Sequence, residues 1–147
     1  MRLRSRVRTS AAPEHVWAVL GDPRRWPEFD LTLTRVHGSP GHVATGQRLL
    51  GVGRAWGVRV PLDVVEAVPE RRLVLRVSPA PGVAQEVTTE IVPRGQGCEV
   101  IASAVVEGLF ARMAVVPFWV TIGITTRLLV VRAERLAAAA QKASGAA

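Results

Sequence analysis

The sequence predicts an α+β protein: a seven-stranded, curved antiparallel sheet, two short helices after its first strand, and one long C-terminal helix laid against the sheet. Three observations carry this. Gly108 to Lys142 is too long for a strand and repeats its apolar residues at helical spacing. Most of the chain before it is a series of short, valine-rich runs bounded by Gly or Pro, the composition of antiparallel strands. The order strand, two helices, six strands, helix is segregated rather than alternating, which separates α+β from α/β.

The long segment poses the problem that the rest of the chain has to solve. From Phe118, the positions Ile122, Thr125, Leu129, Ala133, Leu136 and Ala140 continue a stripe at spacings of three and four, and Pro117 is placed to open the helix at its first turn. The opposite positions Trp119, Val120, Gly123, Ile124, Leu128 and Val130 are largely apolar as well. Such a helix needs cover on nearly every side, from protein, lipid or a bound apolar ligand. Its longest run without a charge, Met113 to Thr126, is fourteen residues, short of the about 20 that span a bilayer. A core helix is therefore expected, wrapped on one side by a curved sheet whose other face is wet.

The elements follow in order. Residues 2–9 alternate Arg2, Arg4, Arg6 and Arg8 with Leu3, Ser5, Val7 and Thr9, which is a half-buried strand with a solvated face that resists aggregation. Ser10 as N-cap and Pro13 open a short helix to Leu20, with Val16, Trp17 and Leu20 on one side. After the break at Gly21-Asp22-Pro23, a second helical piece from Arg24 to Phe29 holds Trp26 and is interrupted by Pro27. Six strands are then expected: Leu31 to His37, Gly46 to Gly53, Trp56 to Val68, Arg71 to Ser78, Val83 to Val92 and Cys98 to Glu107. The turn between the second and third of these falls at Arg54-Ala55.

The phrase SAAPEHVWAVLGDPRRWPEFD resembles the N-terminal signature of the START-like (SRPBCC) superfamily, the polyketide cyclase/dehydrase and lipid-transport group related to the birch-pollen allergen fold. The matching residues are Ser10-Ala11, Pro13-Glu14-x-Val16-Trp17-x-x-Leu20 and Asp22-Pro23-x-x-Trp26-Pro27, followed more weakly by Gly46, Pro69-x-Arg71-x-Leu73 and Pro93-x-Gly95-x-Gly97. The resemblance implies a helix-grip fold with a ligand cavity between sheet and helix. It does not choose among the carriers, cyclases, receptors and chaperone activators of that superfamily.

Alternation nominates the cavity walls. Glu86, Thr88 and Glu90 mark the wet face of their strand, which turns Gln85, Val87, Thr89 and Ile91 inward. The same logic selects Val58, Val60, Leu62 and Val64; Leu73, Leu75 and Val77; and Val100, Ala102, Ala104 and Val106. Phe29 sits near the expected mouth, and the helix contributes Phe118, Trp119 and Ile122, with Thr125 or Thr126 as a polar member. The strands Leu31 to His37 and Gly46 to Gly53 declare no face. The expected ligand-binding set is Phe29, Val58, Val60, Leu62, Leu73, Leu75, Gln85, Val87, Thr89, Val100, Phe118, Trp119 and Ile122, a mostly aliphatic wall with few hydrogen-bonding groups. Simple packing of these residues on one another is the competing account at any one position.

Composition narrows the remaining classes. The 147 residues are expected to form one domain over 1–147, and 48% apolar content suits an ordered core. The start MRLRSRVRTS lacks the apolar centre of a secretory signal, so a cytoplasmic protein is expected. Cys98 is the sole cysteine, which excludes an internal disulfide, and His15, His37 and His42 have no metal-ligand spacing; no metal or other cofactor is expected. The net charge of +7 rests on eighteen arginines scattered along the chain, and seven aromatic residues mostly assigned to the core leave few to stack on bases, so no nucleic-acid partner is expected.

No catalytic set declares itself. Asp63 and Arg59 share an outer strand face and read as a surface pair, and Cys98 has no histidine close in sequence. Glu28 and Asp30 flank Phe29, where a partly desolvated carboxylate would act as a base, although solvated loop residues are the commoner case. The absence of tyrosine removes a residue type that aromatic-polyketide cyclases of the resembled superfamily use in their pockets. The leading reading is a monomeric or homodimeric protein that encloses a hydrophobic small molecule such as a lipid, quinone or polyketide. A polyketide cyclase/dehydrase-like enzyme using the same cavity stands second, and transient membrane contact through Leu109 to Val131 and the arginines third.

Overall fold

The computed structural model describes residues 2–38, 41–108 and 111–145, with side chains in the last stretch described from Trp119 onward. Strand β1 (Arg2–Thr9) leads into helix α1 (Pro13–Leu20) and a 3-10 segment (Pro23–Glu28). Strands β2 (Leu33–His37), β3 (Arg48–Gly53), β4 (Arg59–Val68), β5 (Arg72–Ala80), β6 (Val83–Arg94) and β7 (Gly97–Gly108) follow, and helix α2 (Ala111–Gly145) closes the chain. All strand pairs are antiparallel, in the order β1-β7-β6-β5-β4-β3-β2. The first strand thus returns beside the last, and the others form a simple meander. This is the seven-stranded helix-grip arrangement that the sequence analysis expects.

Alternation produces the core. On β4 and β5, Leu62, Val64 and Leu73 are buried, while Asp63 and Arg76 on the outer face are exposed. That outer face carries half-exposed to exposed ion pairs, Arg72–Glu90 at 3.0 Å, Arg76–Glu86 at 3.6 Å and Arg48–Asp63 at 3.9 Å, each of small energetic weight. Asp63 therefore finds Arg48 across the ladder rather than Arg59 along its own strand. Gly51, opposite Val60, leaves room on the inner face: a Cβ there would lie 2.9 Å from Leu33 Cδ2 and 3.2 Å from Leu62 Cδ1. β2 and β3, silent in the sequence, thus turn Leu33, Leu49 and Gly51 inward.

The ends of the 3-10 segment and of β2, β3, β5, β6 and β7 differ from the sequence reading by one or two residues, and three further differences have a physical cause. β4 begins at Arg59, because Trp56 (φ 55°) and Gly57 (φ 60°) are successive left-handed residues and Val58 N donates to Ala55 O (3.4 Å), closing a tight hairpin turn of the I′ kind. The usual signal for that turn is Asn-Gly, which Trp-Gly hides. α1 is capped by Ala12 rather than Ser10, with no side-chain cap; Pro13 takes the first helical position, where its missing N–H costs nothing. α2 starts at Ala111, which places Pro117 inside the helix, where its missing N–H forgoes one backbone bond.

α2 packs on β1, β7 and α1. Ile122 meets Leu3, Ala102 and Ala104, while Leu129, Val130 and Ala133 join Val16, Val19 and Leu20 in the main core. Thr126 is buried in the same face and donates its hydroxyl to Ile122 O at 2.7 Å. Trp26 plugs the space below α1 and donates its Nε1 to Leu20 O (2.8 Å), a carbonyl at the helix end that the helix itself leaves without a partner. Trp26→Phe should keep the packing and orphan that carbonyl. A loss of about 1–3 kcal/mol with an unchanged m-value in urea unfolding is expected; an unchanged midpoint would mean that solvent already reaches the carbonyl.

Candidate functional site

The helix covers only one side of the inner sheet face. Between α2 and the inner faces of β3–β6 lies a cavity of about 430 Å³, within the range of small-molecule sites. Val60 and Leu62 on β4, Leu73, Leu75 and Val77 on β5, and Gln85, Val87 and Thr89 on β6 form the sheet wall. Leu20, Trp26 and Phe29 close one end, Asp30, Thr32 and Leu33 come from the segment leading into β2, and Thr121 and Thr125 come from α2. Thr32 is exposed and Asp30 half-buried, so this is where the cavity meets solvent.

Eight of the residues expected at the site line this cavity: Phe29, Val60, Leu62, Leu73, Leu75, Gln85, Val87 and Thr89. Val58 does not, because it stands in the β3–β4 turn rather than in β4 and is 48% exposed. Val100 is fully buried in the core beneath, between sheet and helices. Ile122 packs on Leu3, Ala102 and Ala104, and Trp119 is 60% exposed beside the edge strand β1. Phe118 lies outside the described side chains. The helix is thus rotated so that Thr125, one of the two threonines expected, and Thr121 face the cavity while Ile122 and Thr126 pack in the core; a helix apolar on all sides gives its period little power to choose. Leu20, Trp26, Leu33 and Thr121 come from elements whose pattern names no cavity face, although buried-aromatic content singles out Trp26.

The polar character of the lining is sparse and almost neutral. No arginine among the described residues lines the cavity. Among the described residues, the side chains of Gln85, Thr89 and Thr125 have no hydrogen-bond partner, leaving donors and acceptors available to a guest. Asp30 is the single titratable liner among the described residues, and its Oδ1 is held by Thr32 through N (2.9 Å) and Oγ1 (2.6 Å). Glu28 points elsewhere: Arg25 holds it at 2.8 Å, and Arg132 of α2 lies at 3.9 Å. Cys98 is buried away from the cavity with Sγ donating to Ala11 O (3.3 Å), and desolvation pushes its thiol pKa up, the opposite of an activated nucleophile.

The family model for polyketide cyclase / dehydrase and lipid transport matches residues 1–140. The chain belongs to this family. No curated protein sequence matches it. Solved structures of this family's fold align closely in spite of low identity. Protein MLL2253 from Mesorhizobium loti superposes with a TM-score of 0.76 at 18% identity, over 92% of this chain and 98% of the other. The hypothetical protein jhp0584 from Helicobacter pylori gives 0.77 at 15%, over 90% and 88%. DynU16, a putative protein in the dynemicin biosynthetic locus, gives 0.71 at 17%, over 90% of this chain and 47% of the other. At such identities the likeness concerns the fold. Within this family member, no helix among the described residues is long and apolar enough to cross a membrane.

The 3-10 segment that carries Trp26 and reaches Phe29 is pinned by two ion pairs, Asp22–Arg24 (2.9 Å) and Arg25–Glu28 (2.8 Å). Hydrogen bonds from Arg24 and Arg25 hold the carboxyls of Asp22 and Glu28 below their ordinary values against the opposing effect of burial. A carboxyl lowered in the folded state contributes stability that is present above its unfolded pKa, about 4, and lost as pH falls through the folded value. The urea midpoint should therefore drop more between pH 6 and pH 3 in the wild type than in an Asp22→Asn/Glu28→Gln variant. Parallel drops would show that the two pairs carry no net linkage.

Proposed function

We propose that this protein encloses one uncharged, hydrophobic small molecule in the cavity between sheet and α2, with a carbonyl or hydroxyl group of that molecule bonded to Gln85, Thr89 or Thr125. The observation that carries the reading is the lining itself: among the described residues, an aliphatic wall, neutral polar groups without partners, and no cation, in a chain rich in arginine. Burying an unpaired carboxylate in such a wall is costly, which disfavours free fatty acids, whereas a neutral polyketide, quinone or sterol-like molecule meets only modest desolvation. Membership of a family that includes lipid transport supports an apolar guest. Transport or sensing requires no more than the enclosure described.

Cyclisation or dehydration is the second reading, and the observation that favours it is Asp30 at the cavity mouth. Fixed by Thr32, it is placed to accept a proton from a substrate held behind it, while the wall supplies orientation. Asp30→Asn separates the two readings, since it should leave retention of the ligand unchanged and abolish any turnover.

Native mass spectrometry of the protein purified from its own host identifies the guest: a stoichiometric neutral apolar molecule recovered unchanged is expected, and a product accompanied by its precursor favours the enzyme. In vitro, 1-naphthol should bind at least about tenfold more tightly than 1-naphthoate by calorimetry. Leu75→Trp, which fills the cavity, should abolish binding while the circular dichroism spectrum is retained. Equal affinity for the acid would contradict the neutral-guest reading.

A further inference from the structure

We propose that the β3–β4 hairpin tip is a docking surface for anionic lipid bilayers, which brings the cavity mouth to the membrane. The site is Trp56, with Leu31 and Val58 beside it. Trp56 is 96% exposed, Leu31 53% and Val58 48%, a cluster of large apolar side chains that nothing in the fold covers. Main-chain and side-chain bonds bring the three together: Gly53 N donates to Val58 O (2.7 Å), Arg54 N to Thr32 O (2.8 Å), and Arg54 Nε to Leu31 O (2.9 Å). Thr32 and Gly53 in turn line the cavity, so the cluster stands at its mouth.

Folding does not explain Trp56. The turn needs left-handed backbone at this position, which Asn or Gly takes readily and a bulky aromatic does not. Its indole makes almost no contact, so no packing offsets the disfavoured backbone. A protruding Trp flanked by aliphatic side chains is, in contrast, suited to the interface between water and acyl chains, where its apolar body and N–H are both satisfied.

Charge selects the lipid. From Leu31 to Leu62 the chain has four arginines, Arg35, Arg48, Arg54 and Arg59, and no Asp or Glu. All four are exposed. Arg54 and Arg59 flank Trp56 directly, and the nearest acids in the chain are Asp30, held by Thr32, and Asp63, paired with Arg48. A bilayer with anionic headgroups complements both the cations and the apolar tip. The same concentration of arginines opposes pairing of this tip with a second copy of the chain. The geometry of the surface is independent of what fills the cavity; only its purpose, exchange of a hydrophobic guest with the bilayer, rests on the function proposed above.

The test is co-sedimentation with vesicles of phosphatidylcholine alone or mixed with phosphatidylglycerol, paired with 1-naphthol binding to the same proteins. Wild type should bind the anionic vesicles, with a blue shift of tryptophan emission, and release them in high salt. Trp56→Asn should fold at least as stably, because Asn suits the turn, and lose vesicle affinity by about tenfold or more. Arg54→Gln/Arg59→Gln should also weaken binding and flatten its salt dependence, while Trp119→Ser on α2 should leave it unchanged. The proposal is overturned if wild type ignores the vesicles, if Trp56→Asn binds as wild type does, if Trp119→Ser is the variant that loses binding, or if Trp56→Asn instead abolishes a concentration-dependent dimer. Naphthol binding without vesicle binding would remove the docking surface and leave the cavity reading standing; vesicle binding lost in Trp56→Asn, with no naphthol bound by any variant, would keep the docking surface and remove the cavity reading.

Discussion

A sheet of seven strands presents more apolar inner surface than one helix can cover, and this mismatch shapes the molecule. α2 settles on β1, β7 and α1, where Leu3, Ala102 and Ala104 receive Ile122 and where Val16, Val19 and Leu20 receive Leu129, Val130 and Ala133. The inner faces of β4–β6 are left facing a gap, closed at one end by Trp26 and Phe29 from the short connecting elements. Well-packed interiors seldom leave a space of this size. The aliphatic residues around it gain their full stabilisation only when something apolar fills it.

How far the sequence disclosed this depends on where polar residues interrupt the pattern. On β6, Glu86 and Glu90 mark the outer face, and alternation then places Gln85, Val87 and Thr89 on the cavity wall. β4 and β5 yield Val60, Leu62, Leu73 and Leu75 in the same way. Alternation misplaces Val58, which stands in a turn whose Trp-Gly pair lacks the usual Asn. On α2, apolar residues on every side leave the helical period without a phase, so the pattern finds Thr125 but points to Ile122 and Trp119 where Thr121 lines the cavity. Leu20, Trp26 and Leu33 belong to a helix end, a 3-10 segment and a short edge strand, which have too few residues for periodicity to act upon.

Among the described residues, arginine is abundant on the surface and missing where a guest would lie. Its exclusion from the cavity, together with unpartnered Gln85, Thr89 and Thr125, defines a site of low polarity and no net positive charge. The outer surface shows the opposite balance, with Arg2, Arg4, Arg6 and Arg8 exposed on β1 and Arg35, Arg48, Arg54 and Arg59 exposed along β2, β3 and the turn that carries Trp56. One end of the molecule thus combines an apolar entrance with a cationic surround, while ion pairs at Asp22 and Glu28 fix the segment that forms the inner end of the cavity.

The central claim is that the gap between sheet and helix receives a neutral apolar molecule. Methyl NMR of the leucine and valine side chains during titration with 1-naphthol tests it most directly. Saturable shifts concentrated at Leu62, Leu73, Leu75, Val77 and Val87, with Val131 and Val120 on the outer helix face unmoved, are the predicted result. Shifts confined to the outer helix face, or none at all up to the solubility of the probe, would contradict it and leave those inner residues as packing alone.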